Sequence, residues 1–80
     1  MLAEIIETYA DEEILVADGL DEAVIGICPL SFRLIYSLKK CIDIKMAEGA
    51  DYEDACEDLQ FNTIGAFVGE KTPVWCQDTF

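Results

Sequence analysis

Cysteine is the side chain in this sequence that could act both as a nucleophile and as a ligand for a soft metal ion. The four cysteines are Cys28, Cys41, Cys56 and Cys76. They could form two disulfides, hold zinc, or lie in the core as free thiols. Structural zinc sites use closely spaced cysteine pairs, which this sequence lacks, and each cysteine here has apolar neighbours. We therefore predict four buried, reduced thiols that react slowly, and no metal site.

Other kinds of catalysis lack their usual residues. The chain has no histidine, which is the commonest general base near neutral pH and the usual partner of serine and cysteine nucleophiles. Asp18 and Asp21 could form a carboxylate pair, although acids in turns are usually solvated. The glycines do not form the phosphate-binding pattern G-x-x-x-x-G-K-[ST]. The sequence therefore predicts a protein that is not an enzyme and uses no cofactor.

Negative charge is the dominant chemical property of the sequence. Seventeen acidic residues oppose five basic ones, which gives a net charge of −12 in 80 residues. Nucleic acid and anionic membrane surfaces would be repelled, so we expect neither as a direct partner. The charge favours basic proteins, including the basic grooves of proteins that handle nucleic acids. A simpler interpretation is that the acids only provide solubility.

The acidic residues form two blocks, and four of the five basic residues lie between them. The first block has eight acids within positions 1–22, and the second has six within positions 48–58. Four acids of the second block fall on one face of a predicted helix: Glu53, Asp54, Glu57 and Asp58. Because the opposite stripe of that helix must be buried, these carboxylates would face water on a fixed scaffold. We predict that they bind a basic partner.

Polar residues near the end of the chain, within FNTIGAFVGEKTP at 61–73, allow two interpretations. Asn62 and Thr63 can bond free backbone groups at the end of a helix, and the glycines that follow permit a tight exit from it. The alternative is a polar pocket formed by Asn62, Thr63 and Thr72. The first interpretation accounts for every residue of the stretch structurally, and the second would make it a binding site.

Three helices are predicted from apolar periodicity, over 1–10, 38–48 and 51–67. Ser37 and Asp51 are suited to cap the second and third helices, and Gly49 is suited to end the second. The inner stripes are predicted to contain Leu38, Cys41, Ile42 and Met46 in the second helix and Tyr52, Ala55, Cys56, Leu59 and Thr63 in the third. The first helix is short, and we expect it at the periphery of the domain.

Four strands are predicted, over 13–19, 23–28, 32–36 and 73–76, because β-branched and aromatic runs are bounded there by turn residues. With the helices, they give the order α-β-β-β-α-α-β. The expected fold is a single two-layer α+β domain over residues 1–80, with a small antiparallel sheet of three or four strands and two helices on one face. A chain of this size buries only a modest core, so the sequence also allows a homodimer, which would add stability.

Four segments of the sequence resemble a family of small proteins of tailed bacteriophages and bacterial prophages. They are ILVADG at 14–19, YSLKKCI at 36–42, DYEDA at 51–55 and FNTIGAFVGEKTP at 61–73. The sequence departs from the family pattern at Gln60, where an acid is usual, and in the acidic helix before Ile14. The resemblance implies a phage setting. It implies no activity and no functional residue, because the family has no assigned activity.

These observations together predict a non-enzymatic phage accessory protein that works in the host cytoplasm by binding a basic host protein. Inhibition of a host defence or nucleic-acid-handling protein suits the charge best. Three alternatives are a virion assembly component, a protein that binds a small molecule such as a nucleotide, and an enzyme of unassigned activity. The cytoplasmic location is expected because positions 1–7 carry acids, where a signal peptide would carry positive charge.

Overall fold

The computed structural model describes residues 1–17, 19–60, 69 and 71–78. The regular elements of the described residues are α1 Leu2–Thr8, β1 Val24–Cys28, β2 Arg33–Ser37, α2 Leu38–Ala47, α3 Tyr52–Leu59 and β3 Val74–Cys76. A 3-10 turn, Asp21–Ala23, leads into β1. Helices and strands are both present in the order expected, apart from the first strand, and the α+β class is confirmed. None of the described helices is long and apolar enough to cross a membrane.

The sheet has the order β1-β2-β3 and is mixed. β1 and β2 form an antiparallel hairpin, with an irregularity in register between Val24 and Gly26. β3 runs parallel to β2, so the prediction of a wholly antiparallel sheet is wrong at this strand. A parallel neighbour needs a long crossover connection, and residues 38–73, which include α2 and α3, supply it.

The turn between β1 and β2 places an aromatic residue in an unusual backbone conformation. Phe32 has φ +57°, in the left-handed region that side chains other than glycine enter rarely. Its N–H donates to the carbonyl of Cys28 at 2.8 Å, and its ring meets that of Tyr9 edge to face, with 5.7 Å between the centroids. These contacts from the hairpin and from the end of α1 hold Phe32 in place.

The strand predicted over 13–19 is absent from the part of it that the structure describes. Residues 13–17 are irregular, although Ile14 and Ala17 pack against the core. The N–H of Ala17 donates to the Tyr36 hydroxyl at 2.7 Å, and the carbonyl of Ala17 accepts from the N–H of Leu20 at 3.3 Å. The N–H and the carbonyl of Ala17 are therefore both hydrogen-bonded, to a side chain and within a turn, without a neighbouring strand.

The core lies where the hairpin, the 3-10 turn and the helices meet. Its buried members are Ile5, Leu20, Ala23, Val24, Leu34, Tyr36, Cys41 and Leu59. Leu34 and Tyr36 alternate with less buried residues along β2, so they define the inner face of the sheet. On the same face, the rings of Tyr36 and Trp75 lie 4.9 Å apart between centroids. Because Ile5 belongs to this cluster, α1 is tied to the core by that residue, even though most of the helix is exposed.

Both predicted N-caps and the predicted glycine stop are confirmed. The Ser37 Oγ accepts from the N–H of Lys40 at 3.1 Å, and Asp51 Oδ1 accepts from the N–H of Asp54 at 2.8 Å. Gly49, at φ +111°, follows α2, and the N–H of Ala50 reaches back to the carbonyl of Lys45 at 3.2 Å. Gln60 follows α3, and the rest of its predicted length, 61–67, lies outside the described residues.

Candidate functional site

The carboxylates predicted to bind a partner do not form one equivalent set. Glu53, Asp54 and Glu57 are exposed and make no ion pair with any described residue. Asp58 is less exposed, at 43% of its side chain, and its Oδ2 lies 3.3 Å from the Lys45 Nζ of α2. Asp58 therefore faces water in part, as predicted, but it is also paired with a lysine of α2. We call Glu53, Asp54 and Glu57 the α3 carboxylates.

The basic side chains are largely engaged within the domain. Lys39 lies 2.8 Å from Asp43, Lys45 bridges Asp58 and Glu48, and the Lys71 Nζ lies 3.5 Å from Glu12. The Arg33 Nε donates to the carbonyl of Thr72. Exposed pairs such as these contribute little stability, but they place Lys39, Lys45 and Lys71 next to acids other than the α3 carboxylates. Among the described residues, no lysine or arginine forms an ion pair with the α3 carboxylates.

The scaffold under the α3 carboxylates is packed against the core on its inner side. Ala55 and Leu59 of α3 are buried, and Leu59 belongs to the core cluster. The Asp51 cap satisfies a free N–H of the first turn, where Glu53 and Asp54 also interact favourably with the helix dipole. A partner would therefore meet these carboxylates on a helix that is already ordered, which reduces the entropy lost on binding.

A groove of about 800 Å³ runs between α2 and α3. We call it the α2–α3 groove. Eight residues of the two helices line it, and six of them are mostly apolar: Leu38, Ile42, Met46, Tyr52, Cys56 and Leu59, beside the charged Lys39 and Asp43. Gln60, Gln77 and Asp78 also line it. The groove is open to solvent and combines an apolar floor with polar edges, which are the properties of many binding sites.

Two residues of the groove are far more exposed than the sequence predicts. Met46 and Tyr52, both assigned to inner stripes, are 43% and 61% exposed. They lie close to Gly49 and the turn that joins the two helices, beyond the residues that reach the core. Their exposure could have been predicted from their place at the helix ends next to this turn, because an apolar stripe is buried only where its helix packs on the core.

Thr72 is used in closing a turn. Its hydroxyl donates to the carbonyl of Gly69 at 2.6 Å, and its N–H donates to the same carbonyl at 3.2 Å. The carbonyl of Thr72 accepts from Arg33. Asn62 and Thr63, the other members of the predicted polar pocket, lie outside the described residues. The contacts of Thr72 agree with a structural role, and the pocket stays a prediction.

All four cysteines are free thiols, but they differ in environment. Cys41 is buried, and burial raises the pKa of its thiol to about 11. Cys28 is partly exposed, and hydrogen bonds from the Ser31 hydroxyl and from the N–H groups of Leu30 and Ser31 lower the pKa of its thiol. The prediction of four buried thiols is therefore confirmed for Cys41 alone, because Cys28, Cys56 and Cys76 are partly exposed, and slow reaction stays a prediction.

The described acids and cysteines were compared with the arrangements that metal binding and carboxylate chemistry require. Within 1–17, 19–60, 69 and 71–78, no group of three or more cysteine, aspartate or glutamate side chains is arranged to hold a metal ion. Of the candidate pair, Asp21 is exposed in the 3-10 turn, and Asp18 lies outside the described residues. The described side chains are suited to binding through charge and an apolar groove.

Comparison with known protein families, with curated proteins and with solved structures finds no match to this chain.

Proposed function

We propose that this protein acts without catalysis, by binding the basic surface of another protein through the α3 carboxylates. The observation that carries the proposal is the combination of charge and order at that surface. Glu53, Asp54 and Glu57 are exposed, unpaired among the described residues, and fixed on a helix whose other side is buried. Their mutual repulsion opposes the free helix mildly, and a cationic partner relieves it.

The setting that fits best is a bacterial cell infected by a phage, as the resemblance of the four sequence segments suggests. There the acidic surface occupies a groove that normally holds nucleic acid, because carboxylates spaced on a rigid body can replace phosphates. The target is then a host defence or nucleic-acid-handling protein in the cytoplasm. The net charge of −12 supports this choice, because it accelerates encounter with a positively charged protein.

The test is charge reversal on α3 with a matched reversal elsewhere. The variant Glu53→Lys with Glu57→Lys changes two exposed carboxylates, and Glu7→Lys with Glu13→Lys changes the net charge equally in the first acidic block. Asp58 is left unchanged because its reversal would also break the contact with Lys45. Circular dichroism verifies that both variants keep the fold.

The partner is first isolated from bacterial host lysate with the parent protein at low and at high salt. Association and dissociation rates are then measured for the purified partner. We expect the α3 reversal to slow association strongly, and more at low salt than at high salt, while the control reversal has the smaller effect. Loss of binding in the Glu7 and Glu13 variant, with unchanged binding in the α3 variant, would show that the first acidic block is the binding surface.

A further inference from the structure

The α2–α3 groove has an apolar surface that the domain itself leaves exposed. At one end, Met46 and Tyr52 project with 43% and 61% of their surface in solvent, and Ile42 and Cys56 line the groove between the helices. Methionine and tyrosine are common at protein interfaces, since each combines a large contact area with an adaptable or partly polar side chain. The groove is therefore suited to receive apolar side chains.

The border of the groove is acidic on its α3 side. Glu53 and Glu57 each follow a lining residue, Tyr52 or Cys56, by one position, which is a rotation of about 100° around the helix. They therefore stand next to the lining residues on the outward side. On the other border, Asp43 is paired with Lys39, and their charges offset each other. The groove thus presents an apolar floor beside two carboxylates that form no ion pair with a described lysine or arginine.

The dimensions of the groove suit a short helix. α3 has eight residues and α2 has ten, so at about 1.5 Å per residue the walls extend for about 12–15 Å. A helix of about two to three turns covers that length and presents apolar side chains at i, i+3, i+4 and i+7 on one face. Lysine or arginine on the flank of such a helix would meet Glu53 and Glu57.

We propose that the α2–α3 groove binds a short amphipathic helix of a basic partner protein, with apolar side chains between Met46 and Tyr52 and basic side chains on Glu53 and Glu57. This inference rests on the proposed function, since it names the part of a basic partner that is recognised. Charge complementarity decides the occupant. A second copy of this chain would bring a further net charge of −12 to an acidic border, whereas a basic helix neutralises it.

The test uses two synthetic peptides of about fourteen residues. The first carries leucine at i, i+3, i+4 and i+7 and lysine on its other positions, and the second replaces every leucine with serine at the same charge. Affinity is measured by fluorescence anisotropy at low salt, and the contact surface is mapped by amide chemical shifts. We expect the leucine peptide to shift amides of 38–46 and 52–60 and to bind about tenfold or more tightly than the serine peptide.

Two sets of variants separate the apolar contact from the charge contact. Met46→Ala with Tyr52→Ala should lower the affinity for the leucine peptide about tenfold or more and leave the affinity for the serine peptide unchanged. The matched control is Ile6→Ala with Leu30→Ala, which removes exposed apolar side chains outside the groove and should change neither peptide. All four side chains are exposed, so the variants should keep the fold.

The outcomes distinguish the inference from the function on which it rests. If the Met46 and Tyr52 variant binds the leucine peptide as tightly as the parent does, the groove is not the binding site. If the parent protein is a dimer and this variant is a monomer, the groove is covered by a second copy, and the proposal is also wrong. The groove can fail while the proposed function survives: in that case Glu53→Gln with Glu57→Gln weakens the binding of both peptides, although Met46→Ala with Tyr52→Ala does not. If Glu53→Gln with Glu57→Gln weakens the binding of neither, and the α3 charge reversal leaves the lysate partner bound, the proposed function fails as well.

Discussion

Replacement of Tyr36 by phenylalanine tests the most specific contact in the core. Tyr36 is fully buried, and its hydroxyl accepts the N–H of Ala17 at 2.7 Å. Phenylalanine keeps the ring, so the contact with Trp75, at 4.9 Å between centroids, should remain. The substitution therefore removes one acceptor and leaves the N–H of Ala17 without its partner, in a segment that no neighbouring strand holds.

The expected cost follows from that geometry. A buried donor that loses its partner costs about 1–3 kcal/mol, and Ala17 is only partly buried, so water can replace some of the lost bond. We expect a loss of about 1–2 kcal/mol in the free energy of unfolding. In a domain of this size each kcal/mol lowers Tm by about 4–8 °C.

The assay is urea unfolding, with amide hydrogen exchange at Ala17 as the local measurement. Tyr36→Phe should lower the midpoint without changing the slope, and exchange at Ala17 should accelerate about 5–30-fold. Tyr9→Phe is the matched control, since the Tyr9 hydroxyl bonds no residue that the structure describes, and it should stay within about 0.5 kcal/mol of the parent. A Tyr36→Phe protein as stable as the parent, with Ala17 still protected, would refute the reasoning.

Three further predictions concern the core and the thiols. Leu59→Ala should cost about 2–4 kcal/mol in urea unfolding, because Leu59 is 1% exposed and its removal leaves a cavity; an unchanged midpoint would exclude it from the core. Mass spectrometry after iodoacetamide should show Cys28 modified before Cys41, and Ser31→Ala should slow Cys28, since it removes the bond that most lowers its pKa. Between pH 9 and 11 the unfolded chain loses the Cys41 proton and the folded chain keeps it, so stability should fall by about 2–3 kcal/mol as pH rises; Cys41→Ala should lack this part of the slope.

Local chemistry made several features of the fold predictable from sequence. Ser37, Gly49 and Asp51 were assigned correctly because capping and left-handed backbone depend on the residue itself and its near neighbours. The segment 13–17 was assigned wrongly because its β-branched residues fit a strand, whereas the structure satisfies Ala17 through a tyrosine 19 positions away. Propensity cannot identify a partner so distant in sequence.

The candidate site shows the same limit. Periodicity gives the angle of a residue around its helix, so Leu59 was placed correctly inside and Glu53 and Glu57 outside. It does not give the position of the core along the helix, so the exposure of Met46 and Tyr52 was missed. The acidic surface was therefore predictable from sequence, and the groove beside it depends on how α2 and α3 pack.

The position of β2 in the sheet has a consequence for the order of folding. β1 precedes β2 by a short turn at 29–32, but β3 follows only after residues 38–73, so the hairpin can form before its parallel neighbour is in place. Until Val74–Cys76 joins the sheet, β2 has one unpaired edge, and two partly folded chains could pair through such edges. The acidic residues at 1–22 are present on every such chain, and their mutual repulsion opposes that pairing.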